Sequence, residues 1–179
     1  FAGFDHPEGK IKANFLRSIV RKKPLTGNIN AQWEKGLFSV THGEFHGNGF
    51  DVTAQGILQK KLEYNAKITD LGSLIPHAAG RLSASGWLRW NNTLWGGTAA
   101  VEGHAINVEK FKIDSATLNA QVNEKEDEVL KVSIQARNAT YGTINLGSPT
   151  VNVDGKLKNH DVLVLLKWPK SNGKIMANC

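Results

Sequence analysis

Phe50-Asp51-Val52-Thr53-Ala54-Gln55-Gly56 places its apolar residues on the even positions and its polar ones between them. A strand points successive side chains to opposite sides, so this stretch reads as a strand with one apolar and one polar face. The same alternation returns in Leu62-Glu63-Tyr64-Asn65-Ala66-Lys67-Ile68 and in Leu82, Ala84, Gly86 and Leu88, which face Arg81, Ser83, Ser85 and Arg89. It continues through Ala116-Leu118-Ala120-Val122, Leu130-Val132-Ile134-Ala136, Val151-Val153 and Val162-Val164-Leu166. Strands of a parallel sheet, covered on both sides, read as continuous apolar runs instead. The pattern therefore predicts an all-β chain built mostly from antiparallel strands.

The punctuation suits a meander. Asn91-Asn92 suggests a two-residue hairpin turn, which would set Trp90 opposite Thr93 and Leu88 opposite Trp95. Gly47-Asn48-Gly49, Gly96-Gly97 and Lys158-Asn159-His160-Asp161 read as further turns, and the charged stretch from Asn123 to Asp127 as an exposed hairpin loop. Gly43, Gly56, Gly86, Gly103 and Gly155 suggest bulges or close backbone approach. One segment breaks the pattern. Asp70 is placed to cap a single helical turn near residues 70–79, whose apolar residues would plug one end of a sheet. It divides the chain into loose halves, 1–70 and 80–168, joined by 71–79. Phe1 instead of Met, and the abrupt end at Cys179, lead us to expect residues 1–179 to be one segment of a longer polypeptide. Val162-Leu163-Val164-Leu165-Leu166, the strongest β-forming run, would then lie at an open sheet edge.

Composition excludes little. The chain has 179 residues, with 22 Lys+Arg against 16 Asp+Glu. A pI near 9.5 favours anionic partners, nucleic acid or phospholipid headgroups. The charges are scattered, though; only Arg21-Lys22-Lys23 and Lys60-Lys61 cluster, as expected of a solvated strand face. No run approaches the ~20 apolar residues of a membrane-spanning helix. The single Cys cannot form an internal bridge.

Catalytic motifs are missing. There is no G-x-S-x-G elbow, and Gly47-Asn48-Gly49 lacks the Lys-Ser/Thr and helix of a phosphate loop. His42 and His46 flank Glu44, but four strand positions span ~13 Å, too far for one metal ion unless the chain bends sharply at Gly43. We therefore expect surface histidines, no catalytic or metal-binding residue and no cofactor. Trp87, Trp90 and Trp95, with Arg89 among them, fit cross-strand packing at a sheet rim, then a lipid interface, then base stacking.

Four further stretches carry a resemblance. Leu71-Gly72-Ser73-Leu74-Ile75-Pro76-His77-Ala78-Ala79-Gly80, then Leu82 to Gly86, resembles the central β-repeat region of the TamB/AsmA-like family, where a leucine- and proline-bearing stretch precedes a strand ending in Gly. Thr98 to Val108, Phe111 to Val122, and Val151 to His160 followed by Val162 to Leu166 resemble the strands that continue that pattern. The resemblance covers roughly residues 28–168. It departs at Leu94-Trp95, where the family often carries a Pro. It implies an elongated, curved sheet folded into a U-shaped, taco-like apolar groove, without catalytic activity. It further implies a periplasmic segment of a protein anchored in the inner membrane and reaching toward the outer one. The implied partners are phospholipid, an outer-membrane barrel protein of the TamA type and neighbouring β-segments of the same chain.

The main functional candidate is then the apolar face. Its members are Phe50, Val52 and Leu58; Leu62, Tyr64 and Ile68; Leu82 and Leu88; Val101; Phe111, Ile113, Leu118 and Val122; Val132 and Ile134; Val151 and Val153; and Val162, Val164 and Leu166. Alternation alone leaves a closed hydrophobic core possible. Two features favour a groove: almost no helix is available as a cover, and Ala54, Gly56, Ala66, Ala84, Gly86, Ala120 and Ala136 leave space. Three functions follow from such a chain: carriage of phospholipid acyl chains, a scaffold for unfolded outer-membrane strands by edge pairing, and, least expected, a basic nucleic-acid-binding β module.

Overall fold

A computed structural model describes residues 8–20, 23–91, 93–123, 129–168 and 171–178. Its strands are β1 (Gly9–Val20), β2 (Lys23–Glu34), β3 (Leu37–Gly47), β4 (Phe50–Ile57), β5 (Lys61–Ile68), β6 (Ala78–Trp90), β7 (Trp95–Val108), β8 (Phe111–Val122), β9 (Val129–Arg137), β10 (Ala139–Tyr141), β11 (Ile144–Gly147), β12 (Thr150–Lys156), β13 (Asn159–Trp168) and β14 (Ser171–Asn178). They form one 14-stranded sheet in which each pairing is antiparallel. The main path runs β1 to β9 and then β12 to β14. At ~4.8 Å between neighbours the path is on the order of 50 Å long. The short β10–β11 hairpin leaves it beyond β9, with β10 pairing β8.

Only one other element occurs among the described residues, a 3₁₀ turn at Leu71–Ser73. Asp70 caps it as expected, its carboxylate accepting from Gly72 N–H at 3.0 Å. Leu71 beneath it is buried. The sheet runs on past this turn without a break, because β5 pairs directly with β6.

The apolar face keeps its phase because bulges absorb odd residues. β3 carries one extra residue between Val40 and Gly43 against β4. A Cβ at Gly43 would touch Val40 Cγ1 at 3.3 Å, so both residues lie on one side. β7 carries another against β6, where Ala105 takes a left-handed φ of 50°. Past it, Ile106 returns to the apolar side, since a Cβ at Gly103 would meet both its side chain and that of Leu82. Ile106 pairs with Ile113, and Val108 with Phe111. That pairing explains how Phe111 and Ile113, on odd positions, join Leu118 and Val122 on even ones.

Several expectations are corrected. The β6–β7 loop has four residues, 91–94: Trp90 pairs with Trp95 and Leu88 with Gly97. Asn91 Oδ1 accepts from the N–H groups of Thr93 and Leu94, closing an Asx-type loop in place of a two-residue turn; Asn92 lies outside the described residues. Gly96 and Gly97 are strand residues, not a turn. The β12–β13 hairpin turns at Leu157-Lys158, leaving His160 and Asp161 in β13. Val162–Leu166 is not an edge, because β14 pairs along it. Leu58 sits in the β4–β5 turn, its N–H bonded to Phe38 O, and so is off the strand ladder. Residues 124–128 of the charged loop, Arg21-Lys22, Phe1 and Cys179 lie outside the described residues.

Candidate apolar groove

Directly paired residues on adjacent strands share a face. Following the pairs from strand to strand turns the alternation into rows that cross the whole sheet. One row reads Ala13, Ile29, Gly43, Ala54, Tyr64, Gly86, Ala99, Ala120, Val132, Val153, Val162 and Ala177. The next runs from Phe15 through Phe45, Val52, Ala66, Ala84, Val101, Leu118, Ile134, Val151 and Val164 to Ile175. In both rows the only side chain with a polar atom is Tyr64.

The remaining candidates flank these rows. Phe50, Ile68 and Leu82 are paired in turn on one side, and Leu62, Leu88 and Gly97 on the other. Leu166 lies two residues beyond Val164 on the same strand and pairs with Gly173. All candidates except Leu58 thus fall on strands whose pairings bring them to one face. Reasoning from the alternation missed β2, β3 and β14, whose Ile29, Val40, Phe45 and Ile175 extend it. Bulges and interspersed Gly and Asn hide the period there.

No second layer covers this face among the described residues. Among the described residues the only buried apolar side chains are Ala31, Val40, Leu71 and Ala139. Strong contacts join ladder neighbours, plus β6 with the helical turn and β11 with β13. A closed core, the bland alternative, would bury most of the rows. Instead Leu88, Phe111 and Ile134 are exposed and the other candidates are half-buried. Alanines compare the two sides at constant size: Ala54, Ala66, Ala84, Ala99 and Ala120 are half-buried, whereas Ala100 on the opposite side is exposed.

That opposite side is polar. Its middle row reads Asn28, Glu44, Thr53, Asn65, Ser85, Ala100, Asn119, Ser133 and Asn152, with a hydrogen bond from Ser133 Oγ to Asn152 at 2.9 Å. Open hollows of about 530 Å³ lie here, one over Ser85, Ala100, Asn119 and Ser133, another by Glu102, Thr117 and Gln135. The first is floored by short residues such as Ser85, Ala100 and Ser133 between the longer Gln121, Lys131 and Asp154, and the second is lined mainly by polar residues such as Glu102, Gln135 and Arg137.

The histidine pair sits on this polar side. His42 Nε2 and His46 Nε2 approach one oxygen of Glu44 at 3.3 and 3.7 Å, and Asn28 donates to the other at 2.5 Å. His46 Nδ1 lies 2.7 Å from Asp51 Oδ1. The hydrogen bond with Asp51 raises the His46 pKa above its ordinary value. Partial burial pushes Glu44 up, but Asn28 and the two histidines outweigh it and bring it below the ordinary carboxylate value. Among the described residues no group of three or more His, Cys, Asp or Glu is arranged to hold a metal ion.

Aromatic pairs border the apolar face. Trp90 and Trp95 stack with centroids 6.1 Å apart, and Trp33 and Phe38 lie 5.7 Å apart at the same end of the strands. Phe111 and Tyr141 meet at 4.7 Å at the other end. This is the cross-strand packing expected for Trp90 and Trp95, with a different partner for each. Trp87 is on the polar side, under the Arg89 guanidinium.

The sheet architecture and its one-sided apolarity have a counterpart among known families. Residues 8–176 match the family model described as "TamB, N-terminal domain". The chain belongs to the TamB family. The matching region is that family's N-terminal domain and not the central repeats that the four stretches resembled. No curated protein and no solved structure matches the chain. TamB-family proteins are non-enzymatic components of assembly in the cell envelope, which is the setting the family gives this chain. No helix among the described residues is long and apolar enough to cross a membrane.

Proposed function

We propose that this chain is a non-catalytic, periplasmic groove section of a TamB-family protein anchored in the inner membrane and bridging the two membranes. Phospholipid acyl chains travel along its apolar face. The observation that carries the reading is the pair of apolar rows crossing the sheet from β1 to β14 without a covering layer. Each methylene transferred from water to such a surface contributes ~0.8 kcal/mol. On an uncovered face the tails lie against the apolar rows while the headgroups stay in water. Native mass spectrometry of the chain purified from membranes tests this. Bound phospholipid is the expected result; a lipid-free mass after gentle extraction counts against it.

A second reading has its own observation. The two edge strands expose apolar side chains, Ile11, Leu16 and Ile19 on β1 and Ile175 and Met176 on β14. An open edge can pair with an incoming strand. A scaffold for outer-membrane strands, working with a TamA-type barrel, would use these edges instead of the face.

A further inference from the structure

Tyr64 stands out on the face just described. Along its row every neighbour between β3 and β8 is small: Gly43, Ala54, Gly86, Ala99 and Ala120. Tyr64 alone is large, and its ring does not stand up from the sheet. It reaches across β6, and its hydroxyl donates to Thr98 O on β7 at 3.3 Å, two strands away. Gly86 makes this possible. A Cβ at position 86 would stand 2.8 Å from the tyrosine oxygen. Beside the ring, in the adjacent row, lie Ala66 and Ala84, with the larger Val52 and Val101 on either side of them. The low path across the face therefore sidesteps at β5 and β6: from Ala54 to Ala66 and Ala84, then back to Ala99. The path is one row wide from β4 to β7, and at Tyr64 it changes rows.

We propose that Tyr64 is the residue that sets the course of the acyl path through this section, forcing it to change rows, tethered over Gly86 by its bond to Thr98. This rests on the acyl-carrying reading above. Two consequences follow. Removing the ring opens the direct row from Ala54 over Gly86 to Ala99, while filling the sidestep closes the row through Ala66 and Ala84. The hydroxyl bond keeps the ring down, so a phenylalanine, with the ring but no tether, falls between the tyrosine and the truncated residue.

The test uses the full-length protein with a photo-crosslinking residue at Ala99, just past the sidestep, or at Val153, several strands away. Each is exposed to vesicles of phosphatidylethanolamine and phosphatidylglycerol, and cross-linked phospholipid is measured. Tyr64→Ala should raise labelling at Ala99 several-fold and Tyr64→Phe by less. Ala66→Leu should lower it, and labelling at Val153 should stay the same throughout. If Val153 labels and neither Tyr64→Ala nor Ala66→Leu changes Ala99, Tyr64 does not set the path, while acyl carriage stands. If no phospholipid labels either position in any variant, both the proposal and the reading beneath it fail.

Discussion

The middle of the sheet and its C-terminal end use the same period in different ways. Across β4 to β9 the apolar rows are backed by polar ones, such as Asp51, Lys67, Ser83, Glu102, Thr117 and Gln135. At β13 the backing changes. Leu163 pairs with Asn152 and Met176, and Leu165 with Thr150 and Lys174, so this strand is apolar on both sides. All of Val162 to Leu166 are half-buried. One continuous apolar face is thus a property of the whole sheet, whereas apolarity on both faces is local to its end. The middle can tell inside from outside by chemistry alone; the end cannot.

Substitutions in the two regions should divide accordingly. In β9, Val132→Glu puts a carboxylate among Ala120, Val153 and their neighbours and should cost about 1–3 kcal/mol in urea unfolding. Lys131→Glu, one residue away on the polar side, should stay within about 0.5 kcal/mol. In β13, Val164→Glu and Leu165→Glu should cost nearly the same. A large gap between those two would mean that the end of the sheet is as strictly two-faced as the middle.

A smaller effect sharpens the contrast between strands and their one helical interruption. Asp70→Ala removes the acceptor for Gly72 N–H and should lower stability by about 1 kcal/mol. Unchanged urea midpoints would show that Leu71 packing, not the cap, holds the turn.

The smallest effect belongs to the polar side of β2 to β4. His46 has a raised pKa, so its contribution is present below about 6.5 and fades as pH rises through the folded value. Glu44 has a lowered pKa, so its contribution is present above its ordinary value and fades as pH falls through the folded one. The cluster should therefore be firmest in mildly acidic solution. NMR titration should place His46 above an ordinary histidine, and Asp51→Asn should bring it back down.

Much of this architecture is legible in the sequence because a period of two is a direct record of an uncovered, two-faced strand. β4, β5, β6 and β9 read correctly for that reason, and Asp70 reads correctly because a carboxylate two residues before an unpaired N–H is a local matter. What fails is whatever depends on a neighbour. Gly96-Gly97 looked like a turn, yet these glycines sit in a strand where a Cβ at Gly97 would collide with the Trp87 carbonyl. Val162–Leu166 looked like an edge because β14, with Gly173, Lys174 and Asn178, has a weak alternation of its own. β3 is hidden in the sequence because its bulge near Thr41 shifts the phase in mid-strand. The sidestep around Tyr64 is not legible at all, since it exists only once four strands are placed in register.

The central claim is that lipid lies on one face and not the other, and β9 offers the most direct test. A photo-crosslinking residue is placed in turn at Leu130, Lys131, Val132, Ser133, Ile134 and Gln135 of the protein in native membranes, and bound phospholipid is scored at each. The account predicts labelling with a period of two, at Leu130, Val132 and Ile134 and not at the three between them. Labelling that is uniform along the strand, or confined to Lys131, Ser133 and Gln135, would contradict it.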